Sequence, residues 1–323
     1  MKTLNWGILG TGRIAQRFAR GLKQSRTGKL VAVASRKQET ADEFVQKHGG
    51  RGYEGYEKLL DDKEVQAVYI SLPHHMHTEW SVKAARKRKH ILCEKPFALD
   101  AQEAEWALDE IKKNDVFFME AFMYRCHPQT IELQKRIAEG AIGEPLYIYS
   151  EHGFEMPRDA DDFRLVNRYG GGALMDVGCY CVSFARMISR SALSRAVYLA
   201  KIGSKKYDEY GTGCLFFENN LSSSFSTSIH LSLSNYATIY GTKGRIEVPS
   251  PWHCNMPFRI VTKDDSIEDV SAGLEGDLYG FEADAVMEFL EKREAPYVTW
   301  QDTLEQAYTL DMLRESAGLI FEK

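Results

Sequence analysis

The stretch from Val68 to Pro96 constrains the fold more than any other part of the chain. A short apolar run at 68–72 ends at Pro73, and a second run, His90–Cys93, ends at Glu94-Lys95-Pro96. Between them, Thr78–Lys89 consists mostly of helix-forming residues. A strand, a helix and a strand of these lengths predict a βαβ unit, in which the two strands are parallel.

The ends of these two strands predict where a ligand binds. In an open parallel sheet, ligands bind beyond the carboxyl ends of the strands. Pro73-His74-His75 and Glu94-Lys95-Pro96 both follow such ends, so Lys95 is predicted to be a site residue. For Lys95, the alternative is that it is a solvated charge in a loop.

No metal site is predicted, because the spacing of a recognised zinc site is absent from His74, His75, His77 and Cys93.

A glycine motif near the N-terminus predicts dinucleotide binding. The apolar run Leu4–Leu9 leads directly into Gly10-Thr11-Gly12-Arg13-Ile14-Ala15, which matches G-x-G-x-x-A and opens a helical pattern. Gly10 permits the tight turn, and Gly12 allows the backbone to approach a pyrophosphate. The N–H groups of the helix N-terminus attract the phosphate charge. A plain strand-to-helix turn is the alternative.

The residues after the second strand favour NADP over NAD. Leu30–Ala34 is followed by Ser35-Arg36-Lys37, whereas NAD sites usually place an acid there to bind the ribose hydroxyls. Ser35 is suited to hydrogen-bond a 2′-phosphate, and Arg36 to pair with it. The alternative is that Arg36 is a solvent-facing side chain, as most arginines are.

Length and periodicity predict two domains. The chain has 323 residues, and the alternation of strand and helix continues to Glu120. We predict a Rossmann domain with a doubly wound parallel sheet at 1–120, and an α+β domain with a large, mainly antiparallel open sheet at 121–323. The clearest signal of the second domain is the period-two run at 224–234, where apolar residues alternate with serines. Gly241-Thr242-Lys243-Gly244 predicts a hairpin turn.

Two closing helices are predicted at Tyr279–Lys292 and Thr303–Phe321.

The net charge of −5 argues against nucleic acid or an anionic membrane as the main partner. No apolar stretch approaches the length of a membrane span, and we expect no signal peptide. Six cysteines without a CxxC pair do not form a disulfide framework, so a cytoplasmic location is expected.

Asp176 and Tyr180 are the candidates for acid–base chemistry. They are four residues apart in the helix predicted after Gly170–Gly172, so they share one side of it. Oxidation of an alcohol needs a hydride acceptor and a proton acceptor. A tyrosine can take the proton if its pKa, about 10 when unperturbed, is lowered, and a nearby ammonium such as Lys95 favours the phenolate. Asp176 would orient a substrate hydroxyl or hold Lys95. The alternative for Tyr180 is an interfacial tyrosine with a satisfied hydroxyl.

Taken together, these motifs resemble the Gfo/Idh/MocA oxidoreductase family. The resemblance rests on the glycine motif, on Glu94-Lys95-Pro96, on Glu120–Arg125 followed by His127-Pro128, and on Gly170–Tyr180. Tyr180 is similar to the branch of the family that contains dimeric dihydrodiol dehydrogenase, NADP-dependent xylose dehydrogenase and glucose–fructose oxidoreductase. The resemblance also implies cofactor contacts from Leu72, Pro73, His74, His77, Glu94, Lys95 and Arg164, the last of these near the nicotinamide.

The resemblance further implies a homodimer through the open sheet face, which is expected to carry Ser224, Ser226, Ser228 and His230. The sequence thus predicts an NADP-dependent dehydrogenase or reductase that acts on a sugar, polyol or diol. A non-catalytic sensor or regulator that binds NADP is the alternative. The presence of both Lys95 and Tyr180 favours the enzyme.

Overall fold

The computed structural model describes residues 2–322, which form two compact units. The first unit combines the chain up to Cys126 with Glu275–Leu304, and the second combines His127–Leu274 with the chain from Glu305 onward. The chain therefore crosses from one unit to the other three times. The assignment of cofactor binding to 1–120 and of substrate binding to 121–323 stays a prediction.

The first unit is built on a six-stranded parallel sheet. Its strands lie in the order β3-β2-β1-β4-β5-β6, the order of a dinucleotide-binding doubly wound sheet. The strands are β1 (Leu4–Leu9), β2 (Gly28–Ser35), β3 (Arg51–Glu54), β4 (Ala67–Ile70), β5 (His90–Glu94) and β6 (Phe118–Ala121). The helices are α1 (Arg13–Leu22), α2 (Gln38–His48), α3 (Tyr56–Asp61), α4 (His77–Arg86), α5 (Ala101–Lys112) and α8 (Leu278–Glu288).

Strands β4 and β5 pair in parallel from Ala67 opposite His90 to Ile70 opposite Cys93, which confirms the predicted βαβ unit. Every side chain of β4 is buried, as expected where helices cover both faces of a parallel sheet. This explains why the sequence of β4 is continuously apolar.

Helix α8 joins the first unit from far along the chain. Its Asp284 accepts hydrogen bonds from the Ser25 hydroxyl at 2.7 Å and from the Thr27 hydroxyl at 2.6 Å, just beyond the end of α1. The two helices touch at Gly21, where an added Cβ would lie 2.6 Å from the Cβ of Tyr279. Glycine is therefore required at this crossing.

The second unit contains an eight-stranded sheet in the order β14-β13-β12-β11-β7-β10-β9-β8. All of its pairings are antiparallel except that of β10 with β7. Its strands are β7 (Pro145–Gly153), β8 (Leu193–Ile202), β9 (Asp208–Phe217), β10 (Ser222–Ser228), β11 (Ala237–Gly241), β12 (Gly244–Val248), β13 (Phe258–Thr262) and β14 (Ile267–Val270). Helices α6 (Pro128–Ala138) and α7 (Cys179–Ser189) belong to this unit, and α9 (Trp300–Ser316) begins in the first unit and ends in the second.

The sheets confirm the predicted fold class, and some bounds differ from the prediction. The hairpin turn forms as predicted, with Gly241 opposite Gly244. The strand predicted at 224–234 ends at Ser228, because the Ser228 hydroxyl accepts the N–H groups of His230 and Leu231 and turns the chain. The helix predicted after Gly172 begins with a π-helical turn, Leu174–Gly178, before α7.

Candidate functional site

The turn between β1 and α1 has the geometry of a phosphate-binding loop. Gly10 has a φ of +102°, and an added Cβ would lie 2.9 Å from the carbonyl oxygen of Ser71, so only glycine fits there. Gly12 has open space around its ideal Cβ position, which leaves a backbone surface that an anion can approach. No acidic residue occupies the first turn of α1. The residues therefore fit the pyrophosphate of a dinucleotide.

Ser35, at the end of β2, connects this turn to the neighbouring strand. Its hydroxyl lies 2.5 Å from the Thr40 hydroxyl and 3.4 Å from the Thr11 hydroxyl. Ser35 is buried, whereas Arg36 is exposed. A guanidinium pairs well with a phosphate group, so Arg36 stays the predicted partner of a ribose 2′-phosphate.

His77 ties the ends of β4 and β5 together. Its Nδ1 lies 2.8 Å from the carbonyl oxygen of Pro96, and its Nε2 lies 2.7 Å from that of Leu72. Burial lowers the pKa of this imidazole to about 4, so the ring is neutral and donates one hydrogen bond at a time. Both ring nitrogens face backbone carbonyls of the protein, which makes His77 a support for the loops at the two strand ends.

The Glu94 carboxylate lies inside the first unit. It accepts a hydrogen bond from the Tyr69 hydroxyl, and its second oxygen lies 3.3 Å from the Lys95 backbone N–H. Lys95 itself is half-buried, and the peptide bond that joins it to Pro96 is cis. The pKa of the fully buried Glu282 carboxyl is raised by burial and by the charge of Glu94. The structure thus brings Leu72, His77, Glu94, Lys95 and Pro96 together at one edge of the parallel sheet.

In the second unit, the three-glycine turn sets Asp176 at the start of the helical segment. Gly170 is left-handed, and Gly172 has a φ of +116°. An added Cβ on Gly172 would lie 2.0 Å from Oδ1 of Asp208. In the π-helical turn that follows, Asp176 Oδ2 lies 3.6 Å from Nε of Arg164, which also lies 3.5 Å from Oδ1 of Asp162. The predicted site residues Arg164 and Asp176 are therefore direct neighbours.

Tyr180, in the first turn of α7, packs in a cluster of aromatic rings. The His152 ring lies 5.0 Å from the Tyr180 ring, centroid to centroid, in an edge-on arrangement. Trp252 lies 5.8 Å from Tyr180 and stacks on His152 at 5.3 Å. The Trp252 indole N–H donates to the carbonyl oxygen of Glu151 at 3.3 Å. The Tyr180 ring is therefore held on more than one side.

Sequence reasoning did not single out His152. It lies on β7 at even spacing from the buried Ile148 and Ser150, so strand alternation places all three on the covered face of the sheet. That periodicity was the available signal, because it assigns a titratable ring to the face that α7 covers.

Asp208 is a second residue that the sequence did not reveal. Its Oδ2 accepts the Leu174 backbone N–H at 2.7 Å and the Tyr198 hydroxyl at 2.8 Å. Burial raises the pKa of this carboxyl to about 7. Asp208 therefore holds the beginning of the segment that carries Asp176 and Tyr180.

Among residues 2–322, no three histidine, cysteine, aspartate or glutamate side chains group together so as to hold a metal ion. Nor does this part of the chain contain a helix with the length and apolar character required to span a bilayer.

The chain combines one unit whose doubly wound parallel sheet has the strand order of a dinucleotide-binding fold with a second unit that carries a large, mainly antiparallel sheet. Residues 4–122 match the family model described as "Oxidoreductase family, NAD-binding Rossmann fold", and residues 130–247 match the "GFO/IDH/MocA C-terminal domain". The chain belongs to the Gfo/Idh/MocA family of oxidoreductases, which confirms the resemblance seen in the sequence.

Its relatives carry the names of dehydrogenases and reductases. A trans-1,2-dihydrobenzene-1,2-diol dehydrogenase of Xenopus laevis is 30% identical over 334 residues, with 98% of each chain covered. A D-xylose 1-dehydrogenase (NADP(+)) of Haloferax volcanii is 30% identical over 317 residues, with 97% of each covered. The crystal structure of KijD10, a 3-ketoreductase from Actinomadura kijaniata in complex with NADP and TDP-benzene, superposes with a TM-score of 0.86 at 27% identity and 98% coverage of both chains.

Proposed function

We propose that this oxidoreductase transfers a hydride between NADP(H) and a carbinol or carbonyl carbon of a sugar, polyol or diol. The main observation in support is the glycine turn at Gly10–Gly12. This turn leads into α1 and lies next to the end of β2, where Ser35 is followed by Arg36. The named relatives support this reading, because they act on diols and xylose, and KijD10 was crystallised with NADP. The six cysteines are free thiols, which supports a working place in the reducing cytoplasm.

NADP, when bound, supplies the hydride acceptor for oxidation of the substrate. Tyr180 receives the proton of the substrate hydroxyl, and the Lys95 ammonium favours the phenolate form of Tyr180 that can do so. Asp176 accepts a hydrogen bond from a substrate hydroxyl and so orients the carbinol carbon. In reduction, the same groups act in the reverse sense, with Tyr180 donating the proton.

The activity test uses the purified full chain with a panel of aldoses, polyols and diols. NADP reduction and NADPH oxidation are followed by absorbance, and NADPH binding is followed by fluorescence. Turnover of at least one substrate class supports the proposal. Tight NADPH binding without turnover across the panel would instead support a non-catalytic sensor.

Arg36 is proposed to select NADP by pairing with the 2′-phosphate, with help from Ser35. Arg36→Ala should raise the KM for NADP by about 10- to 100-fold, because a charge-assisted hydrogen bond contributes roughly 1.5–3 kcal/mol. The KM for NAD should stay nearly unchanged. Lys47→Ala is a matched control, since Lys47 is an exposed cation in the last turn of α2. Equal binding of NAD and NADP by the unmodified protein would contradict this selection.

We also propose a homodimer through the outward face of the eight-stranded sheet. This face exposes the large side chains of Leu199, Tyr210, Phe216 and Tyr240, and exposed apolar groups that cluster in this way are typical of interaction surfaces. Ser224 and Ser226 lie on it, with their hydroxyls bonded to Tyr147 and Thr212. Ser228 and His230, which the sequence placed on the same face, are buried instead, because Ser228 ends β10 and His230 turns inward to Tyr207.

The dimer is tested by sedimentation at micromolar concentration. Ser226→Arg adds a bulky charge to the centre of the face, so it should convert a dimer into a monomer with little loss of melting temperature. Gln102→Arg, at an exposed position of α5 in the first unit, is the control. A monomeric unmodified protein at these concentrations would overturn the proposal.

A further inference from the structure

We infer that Arg164 is a positioning residue for Asp176, and that it acts on substrate binding through this carboxylate rather than by touching the nicotinamide. The inference rests on the proposed function, in which Asp176 orients a substrate hydroxyl. It differs from the role that the family resemblance implied for Arg164, which was a cofactor contact.

The Arg164 side chain lies between two carboxylates. Its Nε is 3.6 Å from Asp176 Oδ2 and 3.5 Å from Asp162 Oδ1. The side chains of Arg164 and Asp176 are only 18% and 11% exposed, so solvent screens their attraction less than it screens a surface pair. Without the guanidinium, both carboxylates would lose this counter-ion.

The backbone fixes both partners of the Arg164–Asp176 pair. The N–H of Gly172 donates to the carbonyl oxygen of Arg164 at 2.9 Å, and the N–H of Gly171 donates to that of Val166 at 3.1 Å. An added Cβ on Gly171 would lie 2.5 Å from the Arg164 carbonyl oxygen, so only glycine allows this approach. These hydrogen bonds hold the turn at Arg164 against Gly171 and Gly172, which directly precede the helical segment that contains Asp176.

Two aromatic rings and a cap restrict Arg164 further. Its guanidinium carbon lies 5.4 Å from the Phe163 ring centroid and 5.9 Å from that of Phe154. Both distances allow a cation–π attraction. The Asp162 carboxylate also accepts the Arg164 backbone N–H at 3.0 Å, which fixes the start of the turn. A guanidinium held in this way gives Asp176 one preferred orientation.

A substrate that carries several hydroxyls benefits from this arrangement. An ionised carboxylate only accepts hydrogen bonds, so its direction decides which substrate hydroxyl it holds. Misplacement of Asp176 is therefore expected to weaken substrate binding and turnover while leaving the cofactor unaffected. This separates a positioning role from a cofactor contact.

The test compares Arg164→Gln, Arg164→Lys and the control Arg158→Gln. Arg158 belongs to the same loop and pairs with Glu209 at 2.5 Å, but its side chain is 57% exposed. We expect Arg164→Gln to lower kcat/KM for an accepted substrate by about 10- to 100-fold, the factor that one charge-assisted hydrogen bond commonly contributes. The Kd for NADPH should change by less than about twofold, Arg164→Lys should recover part of the loss, and Arg158→Gln should behave like the unmodified protein.

The double variant Arg164→Gln/Asp176→Asn should lose little more than Asp176→Asn alone, since residues that act through one another are not additive. The inference would be overturned if Arg164→Gln raised the Kd for NADPH and left the substrate KM unchanged. Full additivity of the two changes in the double variant would overturn it as well.

A measurement without turnover separates this inference from the proposed function. In a ¹⁵N spectrum of the arginine Nε–H groups, the Arg164 signal is assigned by its loss in Arg164→Lys. It should shift in Asp176→Asn and stay in place in Arg158→Gln. An unmoved signal in Asp176→Asn overturns the ion pair even in an active enzyme, whereas a shift in a protein that turns over no substrate leaves the pair standing and overturns only the proposed activity.

Discussion

Replacing Tyr180 with phenylalanine tests the proposed chemistry most directly, because it removes one oxygen atom and keeps the ring. The ring contacts with His152 at 5.0 Å and with Trp252 at 5.8 Å do not involve that oxygen. We therefore expect the fold of the second unit and the binding of NADPH to survive the change.

The size of the kinetic effect follows from the role assigned to the hydroxyl. General acid–base catalysis by a placed side chain contributes about 10²- to 10⁴-fold. The activation free energy should accordingly rise by roughly 3–5 kcal/mol, at about 1.4 kcal/mol for each factor of ten. The free energy of unfolding should fall by no more than about 0.5–1.5 kcal/mol, the net worth of one hydrogen bond.

Steady-state kinetics on an accepted sugar or diol measure kcat, and NADPH fluorescence measures cofactor affinity. Tyr53→Phe is a matched control, since the Tyr53 hydroxyl donates to Asp62 at 2.9 Å in the first unit and has no assigned chemical role. This control should keep the kcat of the unmodified protein.

A near-normal kcat in Tyr180→Phe, with chemistry shown to be rate-limiting by a deuterium isotope effect on hydride transfer, would refute the assignment. The proton acceptor would then have to be sought among Lys95 and His127. Burial lowers the pKa of His127 to about 4, so this ring is neutral at pH 7, but its Nδ1 accepts the Gln129 backbone N–H at 3.0 Å and would have to release this bond to act as a base.

Two further predictions concern charge. Lys95→Met should lower kcat and move the alkaline-favoured limb of the oxidation pH profile to higher pH, because the loss of a cation makes the phenolate harder to form; an unmoved limb would exclude Lys95 from that role. Asp208→Asn should lower the melting temperature by several degrees, because Oδ2 already accepts Leu174 N–H and Tyr198 O–H, and the amide nitrogen that replaces the buried Oδ1 is a donor without an acceptor. The pKa of the Asp208 carboxyl is raised to about 7 from an ordinary 3.8, so the stability it contributes is fully present below pH 3.8 and is lost as the pH rises through 7. Chemical denaturation at pH 4.5 and pH 8 should therefore show that Asp208→Asn loses less free energy of unfolding, relative to the unmodified protein, at pH 8 than at pH 4.5. An equal loss at both pH values would contradict a raised pKa for this buried carboxyl.

The sequence predicted those parts of the fold that neighbouring residues determine. The glycine turn and the βαβ unit carry their signals within a few residues, in Gly10, Gly12 and the apolar runs that end at Pro73 and Pro96. The helical segment after the glycine turn, which contains Asp176 and Tyr180 four residues apart, was also predicted from local pattern. Their catalytic and binding roles stay predictions.

The sequence did not reveal the contacts that join distant segments. Asp208 reaches Leu174, and His152 packs against Tyr180, only because β9 and β7 lie beside the segment at 174–189 in the folded sheet. The error at Ser228 has a different origin. Alternation continues in the sequence past this residue, but its hydroxyl satisfies two backbone N–H groups and so ends the strand.

The return of 275–304 to the first unit has a consequence for exchanging parts between relatives. A cofactor-binding module cut after Cys126 would lack Asp284, whose carboxylate binds Ser25, Arg26 and Thr27, and would expose the side of α1 at Gly21. A transplantable module must therefore carry two separate stretches of sequence. A circular permutant whose new ends lie between residues 274 and 275 would bring these two stretches closer together in the sequence. Family members that inherit the module are expected to keep both stretches together.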